Sequence, residues 1–293
     1  MRATIHCLAC GVRGDIAAEQ RTVRSNVRRF RAESFSIWRC RACLSVHARD
    51  EVDLAPYYRH YPFHGLPEDW RLRVVHEHLL RRLRRAGVRP HHSLLDYGCG
   101  EGAFVRYLRK RGFHRAFGYD RYSNDYSNEE SLGRRYDCVL AQDVLEHVEV
   151  PGALLDEFQR LTGANGVIAI GTPNAEAIDL TKPERHVHTL HLPYHRHVFS
   201  RRALLVAGAA RGWKVERVYD TQYANTVFPF MNSRFYFHYM RLHDDSLESL
   251  MEPPALARVL RQLPFTLFLA FFGYFFAEPL DMMIIFRPSS GGS

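Results

Sequence analysis

A glycine-rich turn between a short apolar segment and a helical segment constrains the fold more than any other part of this sequence. Residues 93–97 predict a buried strand, and Gly98, Gly100 and Gly102 follow at every second position. Because glycine has no Cβ, its backbone N–H group can come close to a ligand. The predicted helix starts directly after the turn, and the free N–H groups at its N-terminus can also bind polar groups of that ligand. The segment therefore predicts a nucleotide-like ligand at the end of a strand.

Strand and helix patterns alternate around this turn. Further strands are predicted at 116–119, 136–141, 167–171, 213–219 and 281–286, and helices at 68–86, 102–111, 151–161 and 201–211. Such alternation predicts an α/β fold with a doubly wound, mostly parallel sheet covered by helices on both faces.

Two carboxylates narrow the choice of ligand. Asp120 follows the second strand at the distance at which dinucleotide-binding proteins place an acid for the ribose hydroxyls. Asp96, however, ends the first strand beside the turn, where it would repel a pyrophosphate and attract the ammonium group of a methionine moiety. The pair therefore favours S-adenosylmethionine over NAD.

At these residues the chain resembles the class I S-adenosylmethionine-dependent methyltransferases. Asp96-x-Gly98-x-Gly100-x-Gly102 resembles their first motif, and residues 118–120 resemble the second. Residues 136–148 and 163–174 resemble the subgroup that includes ubiquinone-type O-methyltransferases and many sugar and natural-product enzymes. The resemblance implies a Rossmann-like fold and a cofactor site formed by Asp96, Gly98, Gly100, Gly102, Asp120, Gln142 and Asp143.

The segment after the second strand departs from that family. Only 16 residues, 121–136, lie where the family usually has a helix, a third strand and their loops. At about 1.5 Å per helical residue and 3.3 Å per strand residue, they cannot form all of these at ordinary length. We expect a vestigial third strand and helix, which leaves open whether Tyr122 or another nearby residue covers the adenine.

Four cysteines near the start form two Cys-x-x-Cys pairs, Cys7 with Cys10 and Cys40 with Cys43, separated by 29 residues. Two such turns complete a tetrahedral site, so we expect one structural zinc ion per chain in a zinc-ribbon-like module. Unliganded thiols and redox chemistry are the alternatives. Similar modules precede methyltransferase domains of the same subgroup and are followed by a tyrosine pair, here Tyr57-Tyr58.

Two histidines are candidates for a catalytic base, which a hydroxyl acceptor needs. His147 directly follows the strand at 136–141, at the edge where such sheets bind ligands, although it could simply pack there. His197 matches a pocket histidine of the resembling enzymes and ends a histidine-rich loop with His186, His188, His191 and His195. A second metal site in this loop is not favoured, because the spacing supplies no carboxylate partner.

An aromatic-rich insertion occupies residues 223–280, before the last strand. Its apolar run at 265–277 has 13 residues, whereas a membrane-spanning helix needs about 20. We therefore expect no membrane-spanning helix in this insertion. A helical lid that buries these aromatic side chains is favoured over an acceptor channel or a membrane-surface contact.

The net charge of +8 is unevenly distributed: residues 1–115 carry 23 Lys+Arg against 11 Asp+Glu, and the remaining residues carry 17 against 21. Because of this asymmetry, an RNA substrate is an alternative to a small-molecule acceptor. A steep loss of activity with increasing salt would favour RNA. A non-catalytic zinc-dependent interaction module is the other alternative. The favoured acceptor is a hydroxyl of a saccharide, lipid-linked or natural-product molecule, and the acceptor and the oligomeric state stay open.

We expect five segments: a zinc module with connector (1–67), a methyltransferase core (68–222), the insertion (223–280), a last core strand (281–288) and a disordered tail (289–293). The N-terminal segment lacks the apolar run of a secretory signal. We therefore expect a cytoplasmic protein, with contact to a membrane surface left open.

Overall fold

The computed structural model describes residues 5–14, 16–61, 68–254 and 256–289, so the predicted tail lies outside the described residues except for Ser289. The strands are β1 (Ile5–His6), β2 (Arg13–Gly14), β3 (Ala17–Arg24), β4 (Ser34–Cys40), β5 (Val46–Ala48), β6 (Leu94–Tyr97), β7 (Ala116–Tyr119), β8 (Tyr136–Gln142), β9 (Thr162–Pro173), β10 (His197–Val198), β11 (Trp213–Tyr219) and β12 (Asp281–Pro288). The helices are α1 (Ala55–Tyr58), α2 (Trp70–Arg85), α3 (Ala103–Lys110), α4 (Pro151–Leu161), α5 (Val187–Leu190), α6 (Arg201–Ala210), α7 (Ser233–Leu242), α8 (Leu256–Arg261) and α9 (Leu263–Phe272).

A six-stranded sheet with the order β11-β12-β9-β8-β6-β7 forms the centre of the fold. The four strands from β9 to β7 are parallel, whereas β12 is antiparallel to both β9 and β11. Side chains of α2 and α3 pack on one face, and side chains of α4 and α6 pack on the other. The predicted doubly wound, mostly parallel α/β fold is confirmed.

Local sequence signals account for the ends of the core helices. The Asp69 carboxylate accepts hydrogen bonds from the N–H groups of Arg71 and Leu72 at the start of α2, and Ser200 Oγ accepts one from Ala203 N in α6. Such side chains satisfy backbone donors that have no partner within the helix. Predicted bounds agree within two residues except for β9, which begins five residues before the predicted 167.

The short segment after β7 forms no third strand. Residues 121–135 contain only a 3₁₀ turn, Glu129–Gly133, so β7 is the edge of the sheet. The Tyr136 hydroxyl donates to Ser131 O at 2.6 Å and ties this turn to β8. The predicted loss of the third strand and its helix is confirmed.

The cysteine-bearing segment forms a second, antiparallel sheet with the order β10-β5-β4-β3. Strand β10 comes from the chain after the core strand β9, and it pairs with β5 in the register His197 to His47. Arg39 of β4 donates to Ala175 O at 3.0 Å, and Ser200 Oγ donates to Cys43 O at 2.5 Å. The module is therefore joined to the core by a shared sheet, which its sequence gives no sign of.

The insertion between β11 and β12 contains α7, α8 and α9, as the predicted helical insertion requires. Asn232 caps α7 by accepting from Phe235 N, and its amide donates to Leu269 O at 3.0 Å in α9. Among the described residues, no helix combines the length and the apolar character that crossing a bilayer demands.

Candidate active site

The glycine turn after β6 has a backbone that only glycine adopts without strain. Gly98, Gly100 and Gly102 have φ angles of 81°, 54° and 76°. A Cβ at Gly98 would lie 2.3 Å from Val144 Cγ2, whereas a Cβ at Gly100 would meet open space. The turn therefore packs against the loop after β8 on one side and leaves its middle open for a ligand.

Asp96 and Asp120 end the neighbouring strands β6 and β7 beside this turn. Asp120 Oδ2 accepts a hydrogen bond from Gly100 N at 2.9 Å, and its Oδ1 accepts one from Tyr122 N at 2.8 Å. Asp96 is buried, and burial together with the charge of Asp120 raises its pKa to about 7. A buried carboxylate of this kind is stabilised by a cationic partner, since an opposite charge offsets desolvation.

Gln142 and Asp143 lie at the end of β8, next to β6 in the sheet. Gln142 Nε2 donates to Asp143 Oδ1 at 2.9 Å, while the buried Gln142 Oε1 has no hydrogen-bond partner within the protein. Burial raises the pKa of Asp143 to about 6. Since β8, β6 and β7 are adjacent and parallel, the predicted cofactor residues converge at the carboxyl ends of these strands, which form one edge of the sheet.

These residues fit S-adenosylmethionine by their chemistry. Asp96 offers a buried acceptor for an ammonium group, Asp120 offers a half-buried acceptor for hydroxyls, and Gln142 Oε1 is a buried acceptor without a donor. The open turn at Gly100 provides room for the ligand backbone. The fit concerns donor and acceptor types, and the roles of the individual residues remain predictions.

Two tyrosines from the shortened segment 121–136 lie near this edge. Tyr126 packs so closely on the turn and on β7 that a Cβ at Gly102 or Gly118 would lie 2.3 or 2.7 Å from its ring. Tyr122 is exposed and stacks on Tyr58, with ring centroids 5.8 Å apart. Tyr126 therefore covers the outer side of the turn, whereas Tyr122 stays open to solvent.

His147 connects the end of β8 to the connector helix α1. Its Nδ1 lies 3.1 Å from Tyr58 Oη and 3.1 Å from Tyr194 O. Burial lowers the pKa of His147 to about 4, so the imidazole is neutral at pH 7. The contact with Tyr194 O favours a proton on Nδ1, which leaves Nε2 as a proton acceptor.

Glu146 provides the carboxylate that sequence reasoning did not find for these histidines. Glu146 Oε1 lies 4.0 Å from His195 Nε2, and the potential ligand atoms of Glu146, His147 and His195 lie within 4.8 Å of one another. Oε2 accepts a hydrogen bond from Thr172 Oγ1 at 3.0 Å, while the buried Oε1 has no hydrogen-bond partner in the protein. Because 49 positions separate Glu146 from His195, spacing alone could not reveal the group.

Burial sets the protonation of this group. It raises the pKa of Glu146 well above its usual value and lowers that of His195 well below. His195 Nδ1 contacts Thr189 O at 2.9 Å, which favours a proton there and leaves Nε2 facing Glu146. The cluster thus combines one carboxyl group and two neutral imidazoles, a ligand set that could hold a divalent metal as well as move a proton.

His197 has a different environment from His147. Its Nε2 contacts Val148 O at 2.5 Å, and it is buried in β10, where burial lowers its pKa to about 4. The nitrogen is therefore occupied by a backbone carbonyl one residue beyond His147. The structure brings the two predicted bases into one region but leaves His147 the more accessible.

Two other loop histidines connect the insertion to the N-terminal module. His188 Nε2 lies 3.0 Å from Asp245 Oδ1, and His191 Nδ1 lies 2.8 Å from Asn26 Oδ1. His188 Nδ1 also contacts the Asn26 amide at 3.3 Å. These contacts give the histidine-rich loop a structural role that spans three parts of the chain.

Cys7, Cys10, Cys40 and Cys43 converge although up to 36 residues separate them. The Sγ atoms of Cys7 and Cys43 lie 3.6 Å apart, and those of Cys10 and Cys40 lie 3.9 Å apart. Zinc–sulfur bonds of about 2.3 Å give a tetrahedron with edges of about 3.8 Å, so the spacing fits zinc and is too long for a disulfide.

In the absence of a metal, Cys7 and Cys43 share a hydrogen bond, and His47 lies beside them. A hydrogen bond with Cys43 raises the pKa of Cys7, and the same contact lowers that of Cys43 to about 5. His47 Nε2 lies 3.2 Å from Cys7 Sγ, and the His47 ring stacks on Trp38 at 4.6 Å. An outer contact of this kind orients a metal ligand.

Comparison with known proteins identifies related sequences and folds. Residues 65–218 match the family model described as "Methyltransferase domain". A structural comparison matches coclaurine N-methyltransferase bound to N-methylheliamine and SAH at 14% identity, covering 73% of this chain and 72% of that chain, with a TM-score of 0.43. It also matches an S-adenosylmethionine-dependent methyltransferase from Mesorhizobium loti at 14% identity, covering 72% and 97%, with a TM-score of 0.43.

A third match is a cyclopropane-fatty-acyl-phospholipid synthase-like protein from Lactobacillus casei, at 11% identity. The alignment covers 74% of this chain and 91% of that chain, with a TM-score of 0.43. A search of curated proteins finds no significant match.

Proposed function

Since this chain belongs to the methyltransferase-domain family, as an S-adenosylmethionine-dependent enzyme, we propose that it methylates a hydroxyl group of a small-molecule acceptor. The favoured acceptors are saccharides, lipid-linked molecules and natural products. The choice of a hydroxyl acceptor is supported by His147, which is neutral and lies beside the proposed cofactor site. Its Nε2 is left as a proton acceptor. We also assign the chain to the ubiquinone-type subgroup, on residues 136–148 and 163–174.

In this proposal the cofactor residues act by position and charge. Asp96 holds the ammonium group and Asp120 accepts from both ribose hydroxyls. Gly100 keeps the middle of the turn open, while Gly98 and Gly102 let Val144 and Tyr126 pack closely on either side. The bound cofactor supplies an electrophilic methyl group on a sulfonium. Gln142 and Asp143 complete the edge from β8.

The acceptor side works by orientation and proton transfer. His147 Nε2 takes the hydroxyl proton, and the contact of Nδ1 with Tyr194 O holds the ring in one orientation. Tyr58 Oη, 3.1 Å from Nδ1, fixes the connector over the same ring. A positioned base of this kind typically contributes 10²- to 10⁴-fold, in addition to the effect of proximity.

Screening acceptor pools tests this function directly. The purified protein is incubated with S-adenosylmethionine and separate pools of saccharides, phenols and lipid-linked alcohols, and release of S-adenosylhomocysteine is followed. We expect turnover with a hydroxyl pool, abolished by an Asp96→Ala substitution. Turnover on RNA alone, falling steeply with salt, would support the nucleic-acid alternative. Failure to bind the cofactor at millimolar concentration would support the non-catalytic module.

We further propose that Cys7, Cys10, Cys40 and Cys43 hold one structural zinc ion. The distances between their sulfur atoms and the nearby His47 support this assignment. The division into module, core, insertion and last strand is part of the same proposal, with the amendment that β10 belongs to the sheet of the module.

A further inference from the structure

We propose that the insertion docks the protein onto an anionic lipid bilayer through an apolar face formed by exposed residues of α8, α9 and the turn after α9. This inference does not rest on the identity of the acceptor. The face consists of Leu256, Leu260, Leu263, Phe265, Leu267, Phe268, Phe271, Phe272, Phe275 and Phe276, and is called the phenylalanine face below.

The exposure of these side chains is concentrated in one part of the chain. Among the described residues, all eight phenylalanines that are exposed lie between residues 228 and 276. The expected lid does not bury them: Phe275 is 70% exposed and Phe265 is 53% exposed. Apolar patches of this kind on a protein surface usually mark an interaction site.

Helix α9 has two distinct sides. Thr266, Leu269, Ala270 and Gly273 are buried against the body of the protein at helical spacing. At about 100° per residue, the exposed apolar positions of α9 and the following turn cover roughly half of the circumference. Because the exposed positions on this half are apolar, it suits insertion into the hydrocarbon boundary of a bilayer.

The charges around the phenylalanine face favour anionic lipid. Residues 253–277 contain two arginines, Arg258 and Arg261, and no acidic residue. The acids that border the segment are already neutralised within the protein, because Glu252 pairs with Arg28 and Glu278 pairs with Arg234. Basic groups beside an apolar helix face are attracted to the negative surface of a membrane.

The phenylalanine face is also directly connected to the candidate active site. The chain passes from Ala277 to the start of β12 in four residues, and Asn174 at the end of β9 donates to Pro279 O at 3.2 Å. Asp281 of β12 pairs in register with Pro173, at the same edge as Asp143. Docking by this face would therefore bring the membrane surface close to the edge of the sheet that holds the candidate site.

Vesicle flotation tests the proposal. The full chain is mixed with vesicles of phosphatidylcholine alone or with about one third phosphatidylglycerol, and the bound fraction is measured. We expect roughly tenfold or greater partition onto the anionic vesicles, since each arginine contributes about fivefold. Phe268→Asp combined with Phe272→Asp should reduce this partition at least tenfold, whereas Val206→Asp, which adds a charge at an exposed position of α6, should change it less than twofold.

Thermal unfolding and S-adenosylhomocysteine affinity establish that each variant is folded, and Phe275→Asp replaces the double variant if that protein is unstable. Three results would overturn the proposal. In the first, the protein binds neither kind of vesicle. In the second, the aspartate substitutions leave vesicle binding unchanged. In the third, the protein binds equally to vesicles with and without phosphatidylglycerol. A dimer in sedimentation equilibrium that dissociates on the same substitutions, without vesicle binding, would assign the phenylalanine face to a second copy of the chain.

Discussion

His197 and His47 face each other across strands β10 and β5, with ring centroids 5.7 Å apart. His47 also contacts Cys7 Sγ, and His197 contacts the carbonyl of Val148, next to His147. The pair therefore connects the four-cysteine cluster to the region of the proposed base. The cysteine module therefore contacts the region around His147 in addition to forming its own fold.

Removing the Asp120 carboxylate should weaken cofactor binding. We expect Asp120→Ala to cost about 2–3 kcal/mol in S-adenosylhomocysteine affinity, because hydroxyl groups lose a charged acceptor and Gly100 N loses its partner. Isothermal calorimetry measures the change. Asp125→Ala, an exposed carboxylate in the same segment, is the matched control and should bind normally. Unchanged affinity in Asp120→Ala would contradict the assignment.

The affinity for S-adenosylhomocysteine should depend on pH through Asp96. The pKa of this carboxyl is raised from 3.8 to about 7, so the free protein is increasingly protonated below that pH. An ammonium group binds the ionised form, so affinity should fall by up to about tenfold per pH unit below pH 7, and binding should release protons. Calorimetry in buffers of different ionisation enthalpy measures this release.

Asp96→Asn separates this effect from the titration of Asp143, whose pKa is about 6. The variant should bind S-adenosylhomocysteine weakly at every pH. Its binding should no longer release the protons that Asp96 releases in the wild type. A wild-type affinity that stays constant between pH 5.5 and 8 would remove Asp96 from the ammonium site.

The four-cysteine cluster should carry about one zinc ion per chain by elemental analysis. Cys40→Ser should lower both the zinc content and the unfolding temperature, since metal-binding free energy contributes to folding. Cys138→Ala removes a buried thiol outside the cluster and should leave the zinc content unchanged. Absence of zinc, with all four thiols reactive in the folded protein, would refute the site.

Chelation should also reduce turnover more than cofactor affinity. Strand β10 is held by β5 within the module, so loss of the metal should disturb the region around His147 while Asp96 and Asp120 keep their positions on β6 and β7. Comparing kcat with S-adenosylhomocysteine affinity before and after chelation distinguishes this effect from general unfolding. A parallel loss of both would indicate that the module only stabilises the fold.

His147 and His197 should respond differently to substitution by alanine. We expect His147→Ala to lower kcat by about 10²-fold, with near-normal cofactor affinity and partial recovery at high pH, where the acceptor ionises unaided. His197→Ala should mainly lower the unfolding temperature, because its Nε2 is engaged by Val148 O in the interior. If neither folded variant loses even tenfold in kcat, methyl transfer works by proximity alone.

Part of this site could be predicted because its signals are local. The turn at Gly98, Gly100 and Gly102 depends on φ angles that nearby residues set, and Asp96 and Asp120 occupy strand ends that the alternation of apolar segments locates. The absence of the third strand also follows from local chain length. Each of these features needs only a few neighbouring residues to be specified.

The aromatic insertion shows where local reasoning stops. The sequence favours burial of the phenylalanines under a lid, yet α9 turns only one side to the body of the protein. A helix of uniform apolar character does not reveal which side will be covered, since every side is equally suited to burial. Its orientation is set by tertiary contacts such as the hydrogen bond from Asn232 to Leu269 O.

By itself, the sequence determined the strand order along the chain, the glycine turn after β6 and the two cysteine pairs, because apolar periodicity and glycine positions act over a few residues. Only the tertiary structure decided that β10 joins β5, that Tyr58 reaches His147 and that Glu146 lies near His195. These residues are 49 to 152 positions apart, and their contacts depend on how whole layers pack. Packing is a collective property of the buried core, which no local pattern specifies.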